Sequence, residues 1–223
     1  MHAASMNLWH YEFMEFALGP LVAVLIATSF AAGLNLYATV TVLGLLGRTG
    51  LLELPASLSV LQESWVIGAA IVLVLIELVA DKIPAFDLVW NGLHTFIRPP
   101  VAALLAYQAT TPLPLHLQIA CTTLGGLIAF AAHAGKTTVR AAVTPSPEPA
   151  SNVILSLGED AVAVSLTWLA AEHPYIAAAI ALTGVVLVIL LMRLAIRALH
   201  RLFRGVHNAL VEDNPRPGQQ GGS

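Results

Sequence analysis

The side chains able to do chemistry are few, and they crowd into separate stretches of an otherwise oily chain. Glu77, Asp81, Lys82, Asp87, Asn91, His94 and Arg98 fall within residues 77–98, ELVADKIPAFDLVWNGLHTFIR. His133, Lys136 and Arg140 open a second stretch, HAGKTTVRAAVTPSPEPASN, which closes on Asn152; Glu159 and Asp160 stand side by side shortly after it. Glu77 and Asp81 are four apart, so on a helix both carboxylates face one way; either Glu77 lines a proton or cation site, or it is salt-bridged to Lys136 or Arg140 with Asp81 and Lys82 in the headgroups. An ionised group at the centre of a bilayer costs at least ~2.5–3.5 kcal/mol on insertion scales, so such groups are either paired or used. Glu159 and Asp160 are adjacent and cannot both face lipid. Their available partners are Lys136, Arg140 and Arg98. Asn35, with Tyr37, Thr39 and Thr41, adds polar groups to the first apolar run. His94 and His133 are candidates for proton relay, since an unperturbed imidazole titrates near pH ~6.5.

Other chemistries lack their signatures. Gly135-Lys136-Thr137 brushes against a phosphate-binding loop, but Phe130 stands where that pattern needs a glycine, and no strand precedes it. No nucleotide or other cofactor is therefore expected. Lys136 and Arg140, one helical turn apart, can still grip an anionic headgroup or solute phosphate. No HxxxH or HxxE spacing marks a metal site, so the metal question stays open. Cys121 is the only cysteine, which rules out an internal disulfide and a multi-thiolate site. The net charge is -3, so no global basic field points to nucleic acid. No catalytic signature argues for an enzyme.

The elements that carry these residues are membrane-like. The chain is 57% hydrophobic and 10% charged, with mean hydropathy +0.80, against about 25% charged residues in soluble domains. A first apolar region runs over 16–47; a straight helix of that length would reach ~48 Å, beyond a ~30 Å hydrocarbon core. One long span with a local break around Gly33–Asn35 is expected, because Gly disfavours helix and Asn prefers caps. Further spans are expected over 64–80, over 99–111 if Phe96 and Ile97 join it, over 115–132, 153–171 and 175–192. Asp87, Asn91, His94 and Arg98 recur at helical spacing, with Val89, Leu93, Phe96 and Ile97 opposite them. An amphipathic helix near 85–98 follows, lying on the membrane or turning its polar stripe into a protein cavity. Arg193, Arg197, Arg201 and Arg204 extend the last span as a basic helix.

About six spans result: an all-α, polytopic membrane helix bundle, read as a single transmembrane domain over 1–205 with a disordered cytoplasmic tail over 206–223. Placing the basic last helix in the cytoplasm also places Lys82, Arg98, Lys136 and Arg140 there and leaves Arg48 outside. That predicts a bacterial inner-membrane protein with both termini cytoplasmic. No basic n-region precedes the first apolar run, so no cleaved signal is expected. Phe30-Ala31-Ala32-Gly33 and Phe130-Ala131-Ala132-His133 are compatible with a 3+3 inverted repeat. Ala- and Gly-rich faces permit a homo-oligomer.

The segments SFAAGLNLYATV (29–40), ELVADKIPAFDLVWNGLHTFIRPP (77–100), AHAGKTTVRAAVTPSPEPASN (132–152) and SLGEDAV (156–162) resemble a bacterial multi-pass family described as domain of unknown function four-one-two-six. The resemblance covers roughly residues 20–195. It implies that the polar residues of these segments are the family's hallmark, and it implies no activity.

The residues favour a transporter or channel for a small ion or solute. Its site would draw on Glu77, Asp81, Asp87, Asn91, His94, Arg98, His133, Lys136, Arg140, Asn152, Glu159, Asp160 and Asn35. A lipid-handling protein or enzyme that binds an anionic headgroup, and a scaffold with fully ion-paired charges and no cavity, are the alternatives.

Overall fold

The computed structural model describes residues 2–81, 83–143 and 149–212, with side chains over 18–81, 83, 89–140, 153–201, 203 and 204. Seven α-helices account for nearly all of them: α1 His2–Leu34, α2 Leu36–Thr49, α3 Ser64–Ala80, α4 Pro84–Ala109, α5 Leu115–Val143, α6 Pro149–Glu172 and α7 Pro174–Glu212, with a short 3-10 helix at Ala56–Gln62 before α3. No strand occurs among the described residues.

The break at Asn35 is a reversal. Asn35 sits in extended backbone (φ -143, ψ 104), and its side chain accepts from Ala38 N to cap α2. On one side of the break, α1 runs against α4: Ala32 clusters with Ala102, and Leu25 with Ala106. On the other side, α2 runs along α4: Tyr37 bonds His94, and Leu43 packs near Leu105 and Ala109. The chain therefore doubles back at Asn35, and the expected single long span over 16–47 is two antiparallel helices.

Every later helix alternates in direction. Gly19 faces Tyr175 and Phe30 covers Gly184, so α7 starts beside the start of α1 and runs parallel to it. The beginning of α1 and the end of α7 thus lie at opposite ends of the bundle, where a six-span count had put both termini together. The two Phe-Ala-Ala segments lie on α1 and α5, which both run antiparallel to α4 and hence parallel to each other. An inverted repeat needs its matched helices antiparallel, so this pair does not support one.

Among the described residues, three helices are long and apolar enough to cross a membrane, Leu115–Arg140, Val153–Glu172 and Pro174–Arg201; a fourth follows if the 3-10 helix and α3, bent by 63°, form one span. The expected six are not reached by length and hydropathy. Of α1, the part with described side chains, Leu18–Leu34, is apolar, and α4 carries a polar stripe. Pro99 and Pro100 do not end that helix. The segment near 85–98 and the short apolar stretch after it are one continuous element, as membrane helices tolerate when neighbours satisfy the freed backbone groups.

The bundle is inside out at α4. Asn91, His94 and Arg98 are buried, while Val89, Leu93 and Phe96 point outward, Phe96 with 80% exposure. Small residues make the helix contacts: Ala27, Ala31, Ala129, Ala132, Ala163, Ala177 and Ala181 are all fully or almost fully buried. Where α1 crosses α5, a Cβ on Gly33 would stand 2.4 Å from the Ala129 carbonyl oxygen. Such small-residue faces bring helices close where no hydrophobic effect drives them together. The tail expected to be disordered from 206 begins as helix, since α7 continues to Glu212; residues 213–223 lie outside the described residues.

Candidate functional site

The polar residues meet where the ends of α1 and α3, the last third of α5 and the middles of α4 and α6 converge. The site starts from an unfinished helix. When α1 stops at Leu34, its last carbonyls lose their helical partners and form the negative end of the helix dipole. Arg98 Nη1 donates to the Gly33 and Leu34 carbonyls at 3.1 and 2.5 Å. Lys136 Nζ donates to the Leu34 carbonyl at 3.2 Å. Asn35 uses both ends of its amide: Oδ1 caps α2 at 2.9 Å, and Nδ2 donates to Asp160 Oδ1 at 2.8 Å.

From Arg98 an unbroken chain of alternating charges runs through the interior. Arg98 Nη2 donates to Glu77 Oε1. The same oxygen accepts from Lys136 Nζ at 3.0 Å. Lys136 also lies 3.1 Å from Glu159 Oε2, which accepts from Arg140 Nη2 at 2.9 Å. Arg140 Nη2 reaches Asp81 Oδ2 at 2.7 Å, and Ser156 Oγ donates to that oxygen too. Side chains on α3, α4, α5 and α6 thus form one network. The residues involved are buried except Glu159, whose side chain is 13% exposed, and Asp160, which is half-buried.

Two acceptors in this network are left over. Glu77 Oε2 and Asp81 Oδ1 are buried and have no hydrogen-bond partner. Both carboxylates take all their donors on one oxygen and leave the other bare, and such buried orphans are uncommon in folded proteins.

The histidines stand beside the network rather than in it. His94 Nδ1 faces the Trp90 carbonyl at 2.7 Å, an acceptor only, so Nδ1 carries a proton, and Nε2 shares a hydrogen bond with the Tyr37 hydroxyl at 2.9 Å, accepting it when the ring is neutral. Trp90 lies against the ring, with centroids 4.7 Å apart. His133 Nε2 lies 2.9 Å from Thr95 Oγ1 and 3.2 Å from the Asn91 carbonyl. Among the described residues no three His, Cys, Asp or Glu side chains gather as a metal site.

Of the residues singled out from the sequence, Asn35, Glu77, Asp81, Arg98, Lys136, Arg140, Glu159 and Asp160 share this network, and Asn91, His94 and His133 flank it. Asp87 and Asn152 lie in helices, but their side chains are outside the described residues. Ser156 joins the network, and Tyr37 bonds His94 beside it, without either having been selected. Ser156 is one turn before Asp160 on the same face, and Tyr37 follows Asn35 by two; both belong to polar sets visible in the sequence. The Gly33 and Leu34 carbonyls carry no side-chain signal at all.

The network lies inside the apolar belt. A Cβ on Gly135 would meet Val188 of α7, and Val188 precedes Arg193, the first charge of that helix, by about 7 Å of rise. Toward the opposite end a cavity of about 310 Å³ lies between α1, α2 and α4, lined by Val24, Ser29, Ala32, Leu58, Ala102 and Ala106 among others, with Glu53 and Pro174 also in its wall. Ala32 and Ala102, at its inner end, are within about one turn of Gly33 and Arg98.

An all-α bundle with apolar helices, an apolar exterior and a buried ionic interior is the architecture of a membrane-embedded protein. The chain belongs to the family described as domain of unknown function (DUF4126), whose sequence profile matches residues 22–194. All residues of the network fall within that match. No curated protein and no solved structure matches the chain.

Proposed function

We propose that this protein is a multi-pass transporter of the bacterial inner membrane, moving a small ion or solute, and that the alternating network is its binding site in a closed state. The observation that carries the reading is the chain Arg98–Glu77–Lys136–Glu159–Arg140–Asp81, held across four helices inside an apolar bundle. A buried ion-pair network is a poor way to add stability, since an apolar core of similar volume holds helices equally well or better. Charges kept at this depth are therefore kept for use. Glu77, Asp81, Glu159 and Asp160 bind the ion, and Arg98, Lys136 and Arg140 hold the carboxylates when it leaves. The apolar cavity that ends one turn from Arg98 supports an approach from the opposite face, closed by the Ala32 and Ala102 contact.

The basic end of the bundle faces the cytoplasm. Arg193, Arg197, Arg201 and Arg204 of α7 share that end with the network, and Arg48 stands at the other. The beginning of α1 then faces the outside. The alternative of a site for an anionic headgroup has less support, because Lys136 and Arg140 are each engaged by two carboxylates. A pure scaffold has less support too, because two buried carboxylate oxygens are unpaired.

Ion flux into proteoliposomes tests the proposal. Purified full-length protein should pass protons or sodium above the level of empty vesicles. Glu159→Gln should lower that flux at least tenfold at equal incorporation. Flux equal to empty vesicles overturns the transporter reading, and unchanged flux in the variant removes Glu159 from it.

A further inference from the structure

The bare oxygens of Glu77 and Asp81 point to a particular occupant. Among the described residues the buried network has four carboxylates, Glu77, Asp81, Glu159 and Asp160, against three cations, Arg98, Lys136 and Arg140. Counted over these seven side chains alone, with both histidines taken as neutral, the tally is one positive charge short. Two carboxylate oxygens there also go without a donor, and the buried Arg98 Nε, itself without a hydrogen bond, does not reach them. Glu77 Oε1 takes Arg98 and Lys136 while Oε2 takes none; Asp81 Oδ2 takes Arg140 and Ser156 while Oδ1 takes none. The two residues are one turn apart at the end of α3, and Asp81 still has α-helical backbone (φ -63, ψ -16), so both side chains leave the same face. Backbone carbonyls at that helix end add negative potential. Arg98 and Lys136 come to Glu77 from α4 and α5, and Arg140 comes to Asp81 from α5. These bases take up the other oxygen of each carboxylate, which leaves the bare pair for an occupant that none of them supplies.

We infer that Glu77 Oε2 and Asp81 Oδ1 form the site for one monovalent cation charge, either a proton shared between the two carboxylates or a single alkali-metal ion bridging them. One such charge satisfies both orphan acceptors and balances the network. A divalent ion fits less well: it would overshoot the charge, and no third acidic or imidazole ligand is gathered there. The inference rests on the transporter reading for its purpose but not for its test, since occupancy is measurable without flux.

The experiment uses full-length protein in nanodiscs. One arm measures binding of radioactive sodium by scintillation proximity, with choline holding the ionic strength constant. The other records infrared difference spectra for the carbonyl band of a protonated carboxylic acid as pH is changed. The wild type should give saturable sodium binding or a buried protonated-carboxyl band. Glu77→Gln and Asp81→Asn should each reduce that signal at least tenfold, while Glu63→Gln, exposed just before α3, should leave it unchanged. Neither signal in the wild type overturns the inference whether or not the variants fold. A signal that persists in both folded variants also overturns it. A signal lost in the variants, in a protein that shows no flux, keeps the cation site and removes the transporter reading.

Discussion

Asn35 joins a backbone task to an electrostatic one. Its Oδ1 starts α2 and its Nδ2 holds Asp160, so one amide ties the reversal to the network. Asn35→Ala removes the cap and should lower stability by about 1–2 kcal/mol, read as a lower unfolding midpoint in detergent; an unchanged midpoint would show that the reversal is set elsewhere. The ion pairs should behave as a coupled set. Arg140→Gln alone leaves Asp81 with Ser156 and Glu159 with Lys136 as their remaining described contacts, removes the only cation on Asp81 among those contacts, and should cost about 3–5 kcal/mol. Combined with Asp81→Asn it should cost less than the sum of the two, by about 0.5–3 kcal/mol. A double-mutant cycle of unfolding free energies measures this, and strict additivity would mean that the buried contact carries no coupling.

At the scale of elements, small residues decide how closely the helices come. Gly33 of α1 has no room for a side chain against the Ala129 carbonyl of α5. Gly33→Ala should therefore destabilise the bundle by about 1–3 kcal/mol through forced separation of the two helices. Gly158 on α6 meets nothing within 4 Å, and Gly158→Ala should be neutral or stabilising by up to about 1 kcal/mol, because alanine restricts the unfolded chain and favours helix. Thermal unfolding of the pair separates a packing requirement from a general dislike of alanine. The α4 helix shows the limit of periodicity. Spacing places Asn91, His94 and Arg98 on one face and Val89, Leu93 and Phe96 on the other. Which face turns inward depends on the solvent: in water the apolar stripe is buried, and in a bilayer the polar stripe is.

For the whole molecule, the reversal at Asn35 has a topological consequence. Seven alternating helices put the start of α1 and the end of α7 at opposite ends. In a Cys121→Ser background, Arg48→Cys should react with a membrane-impermeant maleimide from outside intact cells, and Arg201→Cys only after the membrane is opened. Labelling of both from one side would mean that α2 does not return along α4.

Much of the site was legible before any fold. Carboxylates and bases in an apolar chain must find one another, so Glu77, Lys136, Arg140 and Glu159 announce a shared site by their cost alone. The sequence by itself determined the class: long apolar runs, scarce charge, an all-helical bundle, and basic residues gathered toward one end. Those follow from local composition, because the bilayer penalty is paid residue by residue. Only the tertiary structure decided that Asn35 reverses the chain, that α4 runs through Pro99 and Pro100, that the Phe-Ala-Ala segments lie on parallel helices, and that Glu77 and Asp81 each keep one oxygen bare. Those depend on which helix lies beside which, and on carbonyls such as those of Gly33 and Leu34. Every residue carries a carbonyl, and only packing selects the ones that meet a charge.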